Sequence, residues 1–167
     1  MKNDVRLYNV ILPIWLLWLF PQLFILVAPA NLAVDCVVLV VVLTALKHRG
    51  KGEVLKKLWW KFWLLGFLAD FIGVLALLPG VFLPSAFGNA AWTYDLSTAI
   101  MANPFHHPGA LVWTLLAVAL AGVCIYFFDR RAMKKCDLLT AREKHVVALT
   151  MAVVTAPWLF LVPVYYY

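Results

Sequence analysis

Charged residues are what this sequence has least of. Asp, Glu, Lys and Arg together make up 13% of its 167 residues, while 65% are hydrophobic. A soluble domain is about half apolar and about a quarter charged. So few polar side chains cannot coat the surface of a water-soluble core of this size. The mean hydropathy of +0.91 points instead to lipid as the solvent. The expected fold class is all-α: a polytopic integral membrane protein, with residues 1–167 forming a single transmembrane domain.

Other scarcities narrow the chemistry. There are three cysteines, Cys36 and Cys124 in apolar runs and Cys136 in a basic loop, so free thiols are expected rather than a disulfide framework. No histidine falls inside an apolar run, which removes the axial ligand that a haem would need, and no cofactor is expected. His48 and His145 stand only at run edges, and nothing joins Cys136 to His145 as nucleophile and base. No catalytic or cofactor motif of high specificity is present. A cleavable signal peptide is also excluded as a reading, because the apolar stretch Leu7 to Val27 is long and another follows almost at once.

The charge that is present is arranged by sign. The 14 Lys and Arg residues give a net charge of +6, and they fall in three clusters, at Lys2 and Arg6, Lys47 to Lys61, and Arg130 to Lys144. Cations at the ends of apolar runs read as cytoplasmic anchors, not as a nucleic-acid face. Lys56, Lys57, Lys61, Arg130 and Arg131 are the candidates for contact with anionic lipid headgroups. Trp59, Trp60 and Trp63 fit an interfacial aromatic belt beside them.

Crossing a bilayer core takes about 20 apolar residues. Five runs approach that length: Tyr8 to Ala28, Asn31 to Leu46, Leu58 to Leu83, Ala110 to Phe128 and Val146 to Val164. Pro29, Ala30 and Asn31 separate the first two and predict a tight helical hairpin. Thr140 and Glu143 have capping-box spacing and predict a helix start at Ala141. With the N-terminus inside and the C-terminus outside, this five-helix bundle puts all 14 basic residues on the cytoplasmic side of a plasma membrane. Five helices make a thin wall around any path, so a homo-oligomer or a partner in a larger membrane complex is expected.

Two acids lie inside the apolar runs. Asp70 is nine residues past Lys61, roughly 13 Å above the inner boundary. Asp35 is twelve residues before Lys47, roughly 18 Å above it on a helix running the other way. A central acid costs about 2.5 to 3.5 kcal/mol and therefore faces protein or water. Gly66, Asp70 and Gly73 share a helix side, which Ala69 and Ala76 adjoin, and such a stripe admits a close neighbour. Ala148, Ala152, Thr155 and Ala156 supply a matching stripe on the last helix, where Pro157 frees the carbonyl of Val153. Asp70, Asp35, Thr155 and Val153 are thus the candidate polar site for a cation or proton. The bland alternative is that each acid makes one interhelical hydrogen bond, and Asp35 at four residues from Asn31 has the spacing for a wet helix start.

The longest polar stretch, Ser85 to Gly109, is expected outside. Trp92, Leu96 and Ile100 recur at helical spacing and predict a short interfacial helix. Asp95, His106 and His107 make this loop a second candidate, for acid–base or metal chemistry, although adjacent histidines point apart and a solvated loop is the plainer reading. Three function classes follow. One is a channel or transporter moving a cation, proton or small solute past Asp70. Another is a non-catalytic or partner-binding subunit. The third is a membrane enzyme acting through Asp95 and the two histidines.

Overall fold

In a computed structural model, residues 21–87 and 90–163 are described. They are helical throughout, with no strands: α1 (Pro21–Ala45), α2 (Lys51–Val81), α3 (Leu83–Phe87), α4 (Ala91–Ala102), α5 (Pro108–Ala132) and α6 (Ala141–Val154). Short 3-10 turns cover Pro104–His106 and Trp158–Leu161. Four stretches are long and apolar enough to cross a membrane: Val27–Ala45, Lys51–Phe87, Pro108–Ala132 and Ala141–Leu161. No more than 33% of any of these spans is buried within the chain, so lipid or another protein must cover the rest. Most of the first expected span, with Lys2, Arg6, Trp15 and Trp18, lies outside the described residues, as do the last four residues of the chain.

The hairpin predicted at Pro29 to Asn31 does not form. Helix α1 runs unbroken from Pro21 to Ala45 with Pro29 inside it. A proline removes one ladder hydrogen bond, but a membrane helix tolerates it when a neighbour satisfies the backbone around the break. Pro29 leaves the carbonyl of Ile25 without its ladder donor; next to the proline, the indole Nε1 of Trp63, on α2, donates to the carbonyl of Ala28 at 2.9 Å. Trp63 therefore turns inward to a helix carbonyl.

The turn from α1 to α2 is a Schellman ending. Lys47 takes a left-handed φ of 53°, His48 N donates to Leu43 O and Lys47 N to Thr44 O, both at 3.0 Å. Gly50, with φ of 90°, then opens α2. At the start of α6 the capping box forms as its spacing predicts: Glu143 N donates to Thr140 Oγ1 at 3.3 Å, and Thr140 N donates to Glu143 Oε2 at 2.8 Å. The other oxygen of that carboxylate, Oε1, accepts from His48 Nδ1 at 2.8 Å. One side chain thus pins the start of α6 to the end of α1 and places both basic loops at the same end of the bundle.

Helix α2 lies antiparallel along α5, α1 flanks α2, and α6 packs on α5 and α1. The small stripe of α2 is consequently met by α5 instead of α6. A Cβ at Gly73 would fall 3.2 Å from Ala121 Cβ and 2.9 Å from Phe160. The reason is a stripe that the sequence reading passed over: Ala110, Thr114, Ala117 and Ala121 recur along one buried face of α5. The stripe on α6 faces α5 as well, where a Cβ at Gly122 would come within 3.2 Å of Ala152 O.

Helix α4 closes the end opposite the basic loops. Leu96 and Ile100 are buried against α2 and α5, and Ser97 Oγ donates to Val81 O at 2.8 Å. Trp92, expected on the same stripe, is 57% exposed. At the other end the basic loop folds back into the core through Met133, Cys136 and Leu139, leaving Lys134 and Lys135 exposed. All three cysteines are free.

Gly73→Leu is expected to destabilise the bundle by about 1–3 kcal/mol, whereas Gly52→Leu, with nothing within 4 Å of its Cβ, should be neutral; detergent unfolding of the two variants checks this. Glu143→Ala should cost about 1–2 kcal/mol. Glu143→Gln should recover the capping share of that loss in the same assay, because glutamine also suits the third position of the box.

Candidate functional site

Three carboxylates from three helices lie inside the bundle. Asp35 on α1 is 5% exposed and Asp129 on α5 is 1% exposed. Asp70 on α2 is half-buried, with Oδ1 turned away from the surface. Gly66 makes room for this approach: a Cβ there would stand 3.7 Å from Asp35 Oδ2, so the α1 carboxylate lies against bare α2 backbone. Asp35 is within electrostatic range of both Asp70 and Asp129 and is the common neighbour of the group.

No base neutralises them. Among the described residues the one ion pair is His48–Glu143 at the rim. Arg130 and Arg131 follow Asp129 in sequence but are exposed, and Arg130 donates to the hydroxyl of Tyr126 at 3.2 Å. Oδ1 of Asp70 and Oδ2 of Asp129 are buried without a hydrogen-bond partner among the described residues, as is Oγ1 of Thr114. Thr114 lies fifteen residues before Asp129 on α5, roughly 22 Å along the helix towards the α4 end. No group of three His, Cys, Asp or Glu side chains among the described residues is arranged to hold a metal ion.

The sequence reading did not single out Asp129. It precedes Arg130, Arg131 and a polar loop, and so reads as the first residue outside the membrane. Its signal was the period: Ala117, Ala121, Ile125 and Asp129 recur every four residues, and all four are buried. The structure brings Asp35 and Asp70 within electrostatic range of one another, while the other two members of the expected site are engaged in local bonds. Thr155 ends α6 and its hydroxyl donates to Met151 O at 2.9 Å. The side chain of Val153 is 56% exposed. Its carbonyl, freed by Pro157, accepts from Trp158 Nε1 at 2.8 Å.

The outer-loop candidates are not brought together. Asp95 and His106 are exposed, and His107 caps α5 by accepting from Gly109 N at 3.1 Å. Of the basic candidates, Lys56, Lys57, Arg130 and Arg131 are exposed, while the Lys61 ammonium sits 5.6 Å over the ring of Trp60.

Replacing an unpartnered buried carboxylate with an apolar side chain removes a desolvation penalty. Asp70→Leu and Asp129→Leu are each expected to raise stability in detergent by about 1 kcal/mol or more. A fall in Tm would mean instead that the carboxylate holds neighbouring helices through hydrogen bonds. Compared with known protein families, curated proteins and solved structures, the chain matches none. What its own structure shows, among the described residues, is an all-helical chain with four helices long and apolar enough to cross a membrane, and three acids, Asp35, Asp70 and Asp129, turned into its interior.

Proposed function

We propose that this membrane protein moves a proton or a small monovalent cation across the bilayer by way of Asp35, Asp70 and Asp129. The observation that carries the reading is three carboxylates turned into the bundle, one on each of three long apolar helices, with no ion-pair partner for any of them among the described residues. A purely architectural acid would be expected to sit against a donor. The inward oxygens of Asp70 and Asp129 have none among the described residues. Each such group is expensive at membrane depth, and a cost of this kind is retained where the group binds something that comes and goes. The looseness of the cluster favours a singly charged ion or a proton over a tightly coordinated divalent metal.

The location fits the direction of traffic. Asp129 stands at the basic end of α5, Asp35 and Asp70 lie deeper, and the unpaired hydroxyl of Thr114 lies towards the opposite end. The buried polar groups are thus spread along the helix axes instead of being gathered at one end.

In proteoliposomes with an imposed potential, the wild type should show proton or sodium influx, read with a pH-sensitive dye and a sodium indicator. Asp70→Asn should lower the flux by at least tenfold, while Asp95→Asn and His106→Ala leave it unchanged. Flux equal to wild type in Asp70→Asn would overturn the proposal. Absence of flux from the wild type, together with a stoichiometric co-purifying membrane protein, would favour a partner-binding subunit.

A further inference from the structure

The basic end of the bundle holds a groove of about 880 Å³ that the acid cluster does not use. It runs between α2 and α5, and its walls differ by height. Leu64, Leu65 and Phe128 form the part that faces the membrane interior, while Lys61, Arg131, Lys134 and Lys135 gather at the mouth. Asp137 is the one acid among the lining residues.

The geometry points to a binding site for an anionic phospholipid, its phosphate held by Lys61, Arg131, Lys134 and Lys135 and an acyl chain laid along Leu64, Leu65 and Phe128. The site stands independently of the transport reading. Four cations against one carboxylate select an anionic head. The apolar wall selects for a tail, because Leu64 is 55% exposed and so continues directly into the lipid-facing surface of α2. A soluble phosphate would satisfy the mouth and leave that wall bare. The backbone that carries Lys134 and Lys135 is anchored on both sides. Met133, Cys136 and Leu139 are buried, so the short loop between them presents Lys134 and Lys135 from a fixed base. Arg131 lies on the last turn of α5, and Lys61 rests over the ring of Trp60, which is itself exposed at headgroup height. The volume lies within the range of preformed ligand sites.

The test is native mass spectrometry of the full chain released from phosphatidylcholine nanodiscs containing a minor fraction of phosphatidylglycerol. Wild type should retain phosphatidylglycerol in preference to phosphatidylcholine. The groove variant, Lys61→Gln with Arg131→Gln, Lys134→Gln and Lys135→Gln, should lose that retention by at least tenfold, since each cation near an anionic headgroup contributes about 1 kcal/mol. A control with the same change of charge at the same end, Lys47→Gln with Arg49→Gln, Lys51→Gln and Arg142→Gln, none of them lining the groove, should stay within about twofold of wild type, a difference of under ~0.5 kcal/mol. Equal loss in the two variants would reduce the effect to general surface attraction and overturn the site. Displacement of the lipid by inorganic phosphate would overturn it in favour of a soluble anion. Should the fourfold groove variant fail to fold, Lys134→Gln with Lys135→Gln, both on the exposed face of the loop, carries the same comparison at half the expected loss of binding free energy.

Discussion

A backbone in hydrocarbon has no water to turn to, so every break in a helix ladder must be answered from within the protein. Pro29, Pro79 and Pro157 are three of the prolines within the long apolar stretches. Beside each of them a tryptophan indole donates to a helix carbonyl: Trp63 to Ala28 O, Trp113 to Ala76 O, and Trp158 to Val153 O, all at 2.8–2.9 Å. Two of these three contacts cross between helices. The α1–α2 and α2–α5 packings thus each carry an interhelical hydrogen bond close to a proline.

Close approach between the helices is left to small residues. Gly66 and Gly73 on α2, and Ala117 and Ala121 on α5, keep the backbones near one another, where dispersion contacts take over the role that water exclusion plays in soluble proteins. The acids follow from this arrangement. Asp35 rests against the bare backbone at Gly66, Asp70 is one helical turn further along, and Asp129 completes the period of the buried face of α5. The packing that forms the bundle is also the packing that collects its carboxylates.

Much of this could be read from the residues. The apolar runs from Leu58, Ala110 and Val146 each lie on a spanning helix, and the capping box at Thr140 starts α6 at Ala141. Three features could not be read, each for a physical reason. Pro29 followed by Asn31 has the grammar of a turn, yet α1 continues through it, packed against α2 where Trp63, thirty-four positions on, bonds the neighbouring carbonyl. Asp129 was masked by its basic neighbours, since a charge beside charges reads as solvated. The partner of the α2 stripe depended on topology, because several helices carry small residues at the right period and composition does not say which of them lie side by side. The clustering of the four groove cations had the same obstacle, as their meeting depends on a loop that turns back into the core.

The carboxylate of Glu143 holds two jobs at once, ordering its own helix and gripping a histidine 95 positions earlier. Helix α6 is also the least apolar of the four spans, with a mean hydropathy of 1.5 against 2.1 or more for the others. Partitioning alone gives this segment the weakest reason to leave water. During synthesis the first helical pair is already waiting when α6 emerges, and its rim offers a ready latch. Biogenesis of the protein would then finish by templating, the last segment being drawn into the bilayer by the earlier ones and not by its own greasiness.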